Sequence, residues 1–149
     1  MRELTLNEII EYAENIELES YNFYSKAKEI VIDKEVKELL TQLANDETNH
    51  YNQLRNLRQK GSLSKSELSQ KISLEKDALT KFVNTGKIEK DFTGTEVLKI
   101  ALEREINTEQ IYAMFITFTQ IAVNVLEVFE LLRNQERGHI NKIENKLNN

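Results

Sequence analysis

A chain of 149 residues has the length of one ordinary domain and can bury a sizeable core. It holds no proline, no cysteine and only four glycines, which favours helices and excludes a disulfide framework, a zinc–thiolate knot or a rubredoxin-type iron site. The net charge of −5 argues against nucleic acid as a partner, because phosphate binding needs clustered Lys and Arg.

The N-terminus, Met1-Arg2-Glu3-Leu4-Thr5, has no basic stretch leading into an apolar core, so no signal peptide is expected and a cytoplasmic protein is the default. Thr5-Leu6-Asn7-Glu8 has the form of a capping box. Ile9, Ala13, Ile16, Ser20, Phe23, Tyr24 and Ala27 then recur at helical spacing and predict an amphipathic helix over about 6–30. Asp33 can cap a second helix over about 34–60, with Val36, Leu39, Leu40, Leu43, His50, Leu54 and Leu57 inward and Gly61 ending it. The short connection makes the two antiparallel neighbours.

The segment over about 61–92 is polar and weakly periodic. It reads as a crossover holding one shorter helix, about Lys65 to Val83, and a loop through Gly86. Thr93-Gly94-Thr95-Glu96 repeats the capping pattern, and a third long helix is expected from about Thr95 to Phe118. A turn near Gln120 to Asn124 leads into a fourth, from about Val123 to Leu147. The apolar run from Ile111 to Val128 is broken by Thr117, Thr119, Gln120, Asn124 and Glu127, so it is not a membrane span. Phe115, Phe118, Ile121, Val125, Val128 and Phe129 read as core or as a subunit interface.

The two halves of the chain resemble each other. Thr5, Glu8, Ala13, Glu17, Ser20 and Tyr24 correspond to Thr93, Glu96, Ala101, Glu105, Thr108 and Tyr112 at an offset of 88. Leu43, Asn45, Glu47 and His50 correspond to Leu132, Asn134, Glu136 and His139 at an offset of 89. The expected fold is therefore all-α: one domain over 1–149, an antiparallel four-helix bundle of two repeated helical hairpins (about 5–60 and 93–147) joined by a long crossover between the second and third long helices.

The repeat also selects candidate ligands. The only two histidines, His50 and His139, each lie three residues after a glutamate, so both side chains of each pair share one helix face. A lone pair of this kind is usually an ordinary surface pair. The duplicated one, with Glu17 and Glu105 matched upstream, points to a metal site of Glu17, Glu47, His50, Glu105, Glu136 and His139. Four carboxylates and two imidazoles balance two divalent cations, and this pattern is the one described for di-iron and di-manganese carboxylate bundles. Manganese or zinc also suits such ligands. Tyr24 and Tyr112, two turns beyond Glu17 and Glu105, are candidates for hydrogen bonding to ligand carboxylates. Glu14, Glu19, Glu103 and Glu109 do not recur in the repeat and read as solvated helix faces, with Glu109 kept as a candidate extra ligand one turn beyond Glu105.

The run Ala13-x-x-x-Glu17-x-x-Ser20-Tyr21-x-Phe23-Tyr24 followed by Glu47-x-x-His50 resembles the rubrerythrin-like branch of the ferritin-like superfamily. Ala101-Leu102-x-x-Glu105-x-x-Thr108-x-x-x-Tyr112 and Glu136-x-x-His139 look like that family's second half. The resemblance implies two iron ions in a non-haem centre, with Glu47 and Glu136 bridging, Glu17 and Glu105 terminal, and His50 and His139 on one iron each. It implies an oxidoreductase that reduces hydrogen peroxide, or reacts with oxygen, between diferrous and diferric states. Ferritin-like oxidation and binding of ferrous iron, or a non-catalytic metal-binding bundle, are the alternatives. No cysteine-bearing rubredoxin domain is present, so electrons are expected from a separate donor such as a rubredoxin-like protein. Where rubrerythrins carry an additional glutamate on the third long helix, Leu102 and Thr108 flank Glu105, leaving Glu109 as the candidate. Met114 is not an evident haem ligand, which sets the chain apart from bacterioferritin. A homodimer is the expected assembly.

Overall fold

Capping chemistry places the helices. The Thr5 backbone N–H donates to Glu8 Oε1 at 2.9 Å and the Glu8 N–H donates to Thr5 Oγ1 at 3.1 Å, closing a reciprocal box that starts α1 (Leu6–Ile30). The Val36 N–H donates to Asp33 Oδ1 at 3.1 Å and starts α2 (Lys34–Gln59). Gly61, at φ +75°, turns the chain out of α2 in the left-handed region that glycine adopts without a Cβ penalty. The structure, a computed structural model, describes residues 2–75, 78–79, 87–118 and 122–149.

The crossover differs from the sequence expectation. A single helical turn, α3 (Lys65–Leu68), stands where a helix to Val83 was expected, and residues 76–77 and 80–86 lie outside the described residues. After α3 the chain extends as β2 (Lys71–Leu74), antiparallel to β1 (Arg2–Thr5), with Leu4 opposite Ile72. The reason is a period of two: Ile72 and Leu74 are buried while Lys71 and Ser73 are exposed. An otherwise all-helical fold thus carries a two-stranded ribbon that ties the N-terminus to the crossover.

A second Thr-x-x-Glu box, Thr93 with Glu96, starts α4 (Gly94–Phe118). Gly94 permits close approach to α2: a Cβ there would sit 3.2 Å from Val36 Cγ2. Residues 119–121, at the start of the expected turn, lie outside the described ones, and α5 spans Val123–Leu147. The α1/α2 and α4/α5 hairpins pack with α2 against α5 and α1 against α4. No helix among the described residues is long and apolar enough to cross a membrane.

The bundle interior is two apolar clusters. One contains Leu6, Ile9, Ile10 and Ala13 of α1, Leu54 and Leu57 of α2, Tyr112 and Phe115 of α4, and Val125, Phe129 and Leu132 of α5. The other contains Tyr24 and Ala27 of α1, Leu40 and Leu43 of α2, Val97, Leu98 and Ala101 of α4, and Ile143 of α5. Each helix contributes one end to each cluster. The buried polar side chains Glu17, Glu47, His50, Glu105, Glu136 and His139 fall between those two ends on all four helices. Phe115, Val125 and Phe129 are core, Phe118 is exposed, and Ile121 lies outside the described residues.

Candidate metal centre

The hairpins bring the six repeat-selected residues into one buried layer. His50 Nδ1 lies 3.0 Å from Glu136 Oε1, 3.3 Å from Glu17 Oε2 and 3.7 Å from Glu47 Oε2. His139 Nδ1 lies 3.2 Å from Glu47 Oε1, 3.4 Å from Glu105 Oε2 and 3.6 Å from Glu136 Oε2. Glu47 and Glu136 therefore direct one oxygen to each histidine, while Glu17 serves only the His50 side and Glu105 only the His139 side. The imidazoles stack at 5.6 Å between centroids with an interplanar angle of 16°. Two groups of potential ligand atoms result, Glu17–Glu47–His50–Glu136 and Glu47–Glu105–Glu136–His139, each gathered within 4.8 Å.

These residues fit divalent cations better than they fit one another. Both oxygens of Glu47 and of Glu136, Glu105 Oε2 and His139 Nδ1 are buried without a hydrogen-bond partner. Orphaned atoms converging on shared points are what a metal would satisfy, and unpaired buried carboxylates are costly without one. Burial, then the charge of Glu47, pushes the Glu17 carboxyl well above the usual carboxylate range. Burial and the charge of Glu105 do the same to Glu136. At Glu105, burial acts upward, but the adjacent Glu136 carboxyl, the charged His139 imidazole and the Tyr24 hydroxyl prevail and hold it at about 2. Burial alone would lower both imidazoles; the carboxylates around them raise them instead, Glu136 and Glu17 foremost at His50 and Glu105 and Glu136 at His139. Without a cation, the layer would be held by protons. Carboxylate and imidazole suit iron, manganese or zinc alike.

Two tyrosines brace the outer carboxylates. Tyr112 Oη donates to Glu17 Oε1 at 2.5 Å, and Tyr24 Oη donates to Glu105 Oε1. Glu109 does not face the centre: Glu109 Oε1 accepts from Arg133 Nε at 2.7 Å and from Arg137 Nε at 3.0 Å. It is a structural ion-pair acceptor between α4 and α5, correcting its candidacy as an extra ligand. Glu14 corrects a second expectation. It is 4% exposed rather than solvated, and accepts two hydrogen bonds from the Arg58 guanidinium, at 2.7 and 3.0 Å. Glu19 and Glu103 are exposed, as a solvated face requires.

Asp46 is the residue that the sequence reading passed over. Its Oδ2 lies 3.0 Å from His139 Nε2, the ring nitrogen facing away from the carboxylates. The repeat concealed it, because the position 89 residues on is Gln135. The available signal was its place beside Glu47 on a helix facing α5. Asp46, Asn49, Gln53, Gln135 and Lys142 also line a cavity of about 520 Å³ that reaches His50 and His139 between α2 and α5.

Residues 1–58 match the family model described as Rubrerythrin. A Thermotoga maritima protein whose crystal structure is described as a candidate ferritin-like diiron-carboxylate protein superposes with a TM-score of 0.79. That match covers 99% of this chain and 97% of the other at 19% identity. The first hairpin is thus similar to rubrerythrins, and the chain as a whole has a ferritin-like fold. Among curated proteins none matches it. The family match spans the hairpin that supplies Glu17, Glu47 and His50; Glu105, Glu136 and His139 come from the second half of the internal repeat.

Proposed function

We propose that the chain is a non-haem di-iron carboxylate oxidoreductase that reduces hydrogen peroxide. The observation that carries this reading is the division of Glu47 and Glu136 between the two histidines, which sets two cation positions side by side with shared carboxylates. When bound, an iron pair supplies the two electrons that, with two protons, convert one peroxide to two waters, passing from diferrous to diferric. Glu17 and Glu105, oriented by hydrogen bonds from Tyr112 and Tyr24, would each hold one of the two ions. The cavity between α2 and α5 gives a small polar oxidant a route to the histidine edges. Electrons return from an external donor, such as a rubredoxin-like protein, and a homodimer is the proposed assembly.

Rapid mixing tests this directly. Protein loaded anaerobically with ferrous iron is expected to oxidise faster with peroxide than with oxygen. An unchanged diferrous spectrum after peroxide would sink the proposal. Faster oxidation by oxygen with continued uptake of ferrous iron would favour ferritin-like iron oxidation, which the polar lining of the same cavity also suits.

A further inference from the structure

We infer that the two cation positions are inequivalent, because Asp46 buttresses His139 and the repeat supplies no such carboxylate to His50. The inference rests on the two-metal reading above and adds an order of loading to it.

The asymmetry begins in sequence. Every ligand in one half has an identical counterpart in the other, but Asp46 corresponds to Gln135. Asp46 Oδ2 stands 3.0 Å from His139 Nε2. A carboxylate there takes the Nε2 proton as a hydrogen bond, fixes the tautomer and leaves the Nδ1 lone pair directed at Glu47, Glu105 and Glu136. It also holds the ring plane and raises the donor strength of Nδ1. On the other side, Gln135 Oε1 is buried and accepts no hydrogen bond, so it does not play the same part for His50. An amide would in any case be the weaker acceptor, since a charged acceptor makes roughly twice as strong a hydrogen bond as a neutral one. The cavity reaches both histidines, so access does not distinguish the two positions and the difference between them lies in Asp46. Asp46 is a positioning residue: it acts on the metal through His139.

The position made by Glu105 and His139, with the shared Glu47 and Glu136, should therefore fill first. Anaerobic titration of the full chain with Co²⁺, followed by its visible absorption, reads the two steps separately. Wild-type protein is expected to bind two ions with stepwise constants about 10-fold or more apart. Asp46→Ala should weaken the tighter step by about 10–100-fold and merge the two, with Asp46→Asn in between. Gln135→Glu should strengthen the weaker step. In a His139→Ala background, Asp46→Ala should have no further effect, which a merely structural role for Asp46 would not produce. Equal wild-type steps, or Asp46 variants that leave both constants within about threefold of wild type, would overturn the inference while leaving two-metal binding intact. Fewer than two ions bound by wild type would overturn the two-metal reading and the inference with it. Circular dichroism of each variant separates a lost fold from a lost step.

Discussion

The Tyr112 phenol on α4 donates to Glu17 on α1 across 2.5 Å, and Tyr24 on α1 donates to Glu105 on α4 in the opposite sense. The two tyrosines thus cross-brace the hairpins through the outer carboxylates. Both rings are fully buried, so no solvent can replace a lost hydroxyl. Tyr112→Phe should destabilise the metal-free protein by about 1–3 kcal/mol, the cost of leaving a buried acceptor without its donor. Urea denaturation checks this. Stability unchanged in both Tyr112→Phe and Tyr24→Phe would mean that the braces contribute nothing.

Glu47 and Glu136 face both histidines, whereas Glu109 faces Arg133 and Arg137. Glu47→Ala or Glu136→Ala should reduce bound metal from two ions per chain to one or fewer, measured by elemental analysis after ferrous loading. Glu109→Ala should keep both ions. A metal content indifferent to Glu47 and Glu136 would remove the bridging assignment.

Stability should depend on pH with opposite signs in the two forms. In the metal-free protein Glu17 and Glu136 are raised above 4.5, and His50 and His139 above 6.5. The folded state then holds more protons than the unfolded chain, so stability is fully present below the unfolded values and falls as pH rises past them. Glu105, lowered to about 2, opposes this only below about pH 4.5, losing its contribution as pH falls through its folded value. Metal-free protein should therefore melt lower at about pH 8 than at about pH 5. Metal-loaded protein should gain stability over the same range, because cations compete with protons for these ligands. Parallel melting curves at several pH values, with and without metal, test the reversal; the same slope in both forms would contradict it.

Arg58 is the sole cation bonded to Glu14 among the described contacts. Arg58→Ala should strand a buried carboxylate and cost about 1–3 kcal/mol, while metal stoichiometry stays at two ions per chain. Arg58→Ala paired with Glu14→Leu, the residue the repeat carries at Leu102, should recover most of the loss. Chemical denaturation of the three proteins reads the coupling. A double variant no better than Arg58→Ala alone would count against a stranded charge as the cause.

The sequence alone determined the four long helices, their pairing into hairpins and the six residues between the apolar ends. Those features rest on local and periodic physics: hydroxyl–glutamate caps, helical spacing, and a duplication that marks recurring glutamates. Tertiary structure alone decided what depends on approach between helices. The β1–β2 ribbon exists because Ile72 and Leu74 meet Leu4, which precedes the first hairpin, in one apolar cluster. Glu14 is buried because Arg58 reaches it from α2, and Glu109 is turned outward because two arginines wait on α5. Asp46 lies one residue from Glu47, yet its partner His139 is 93 residues away. Periodicity reports which face of a helix is apolar; it carries no record of which unrepeated charge meets which partner, since that is settled only when the hairpins pack.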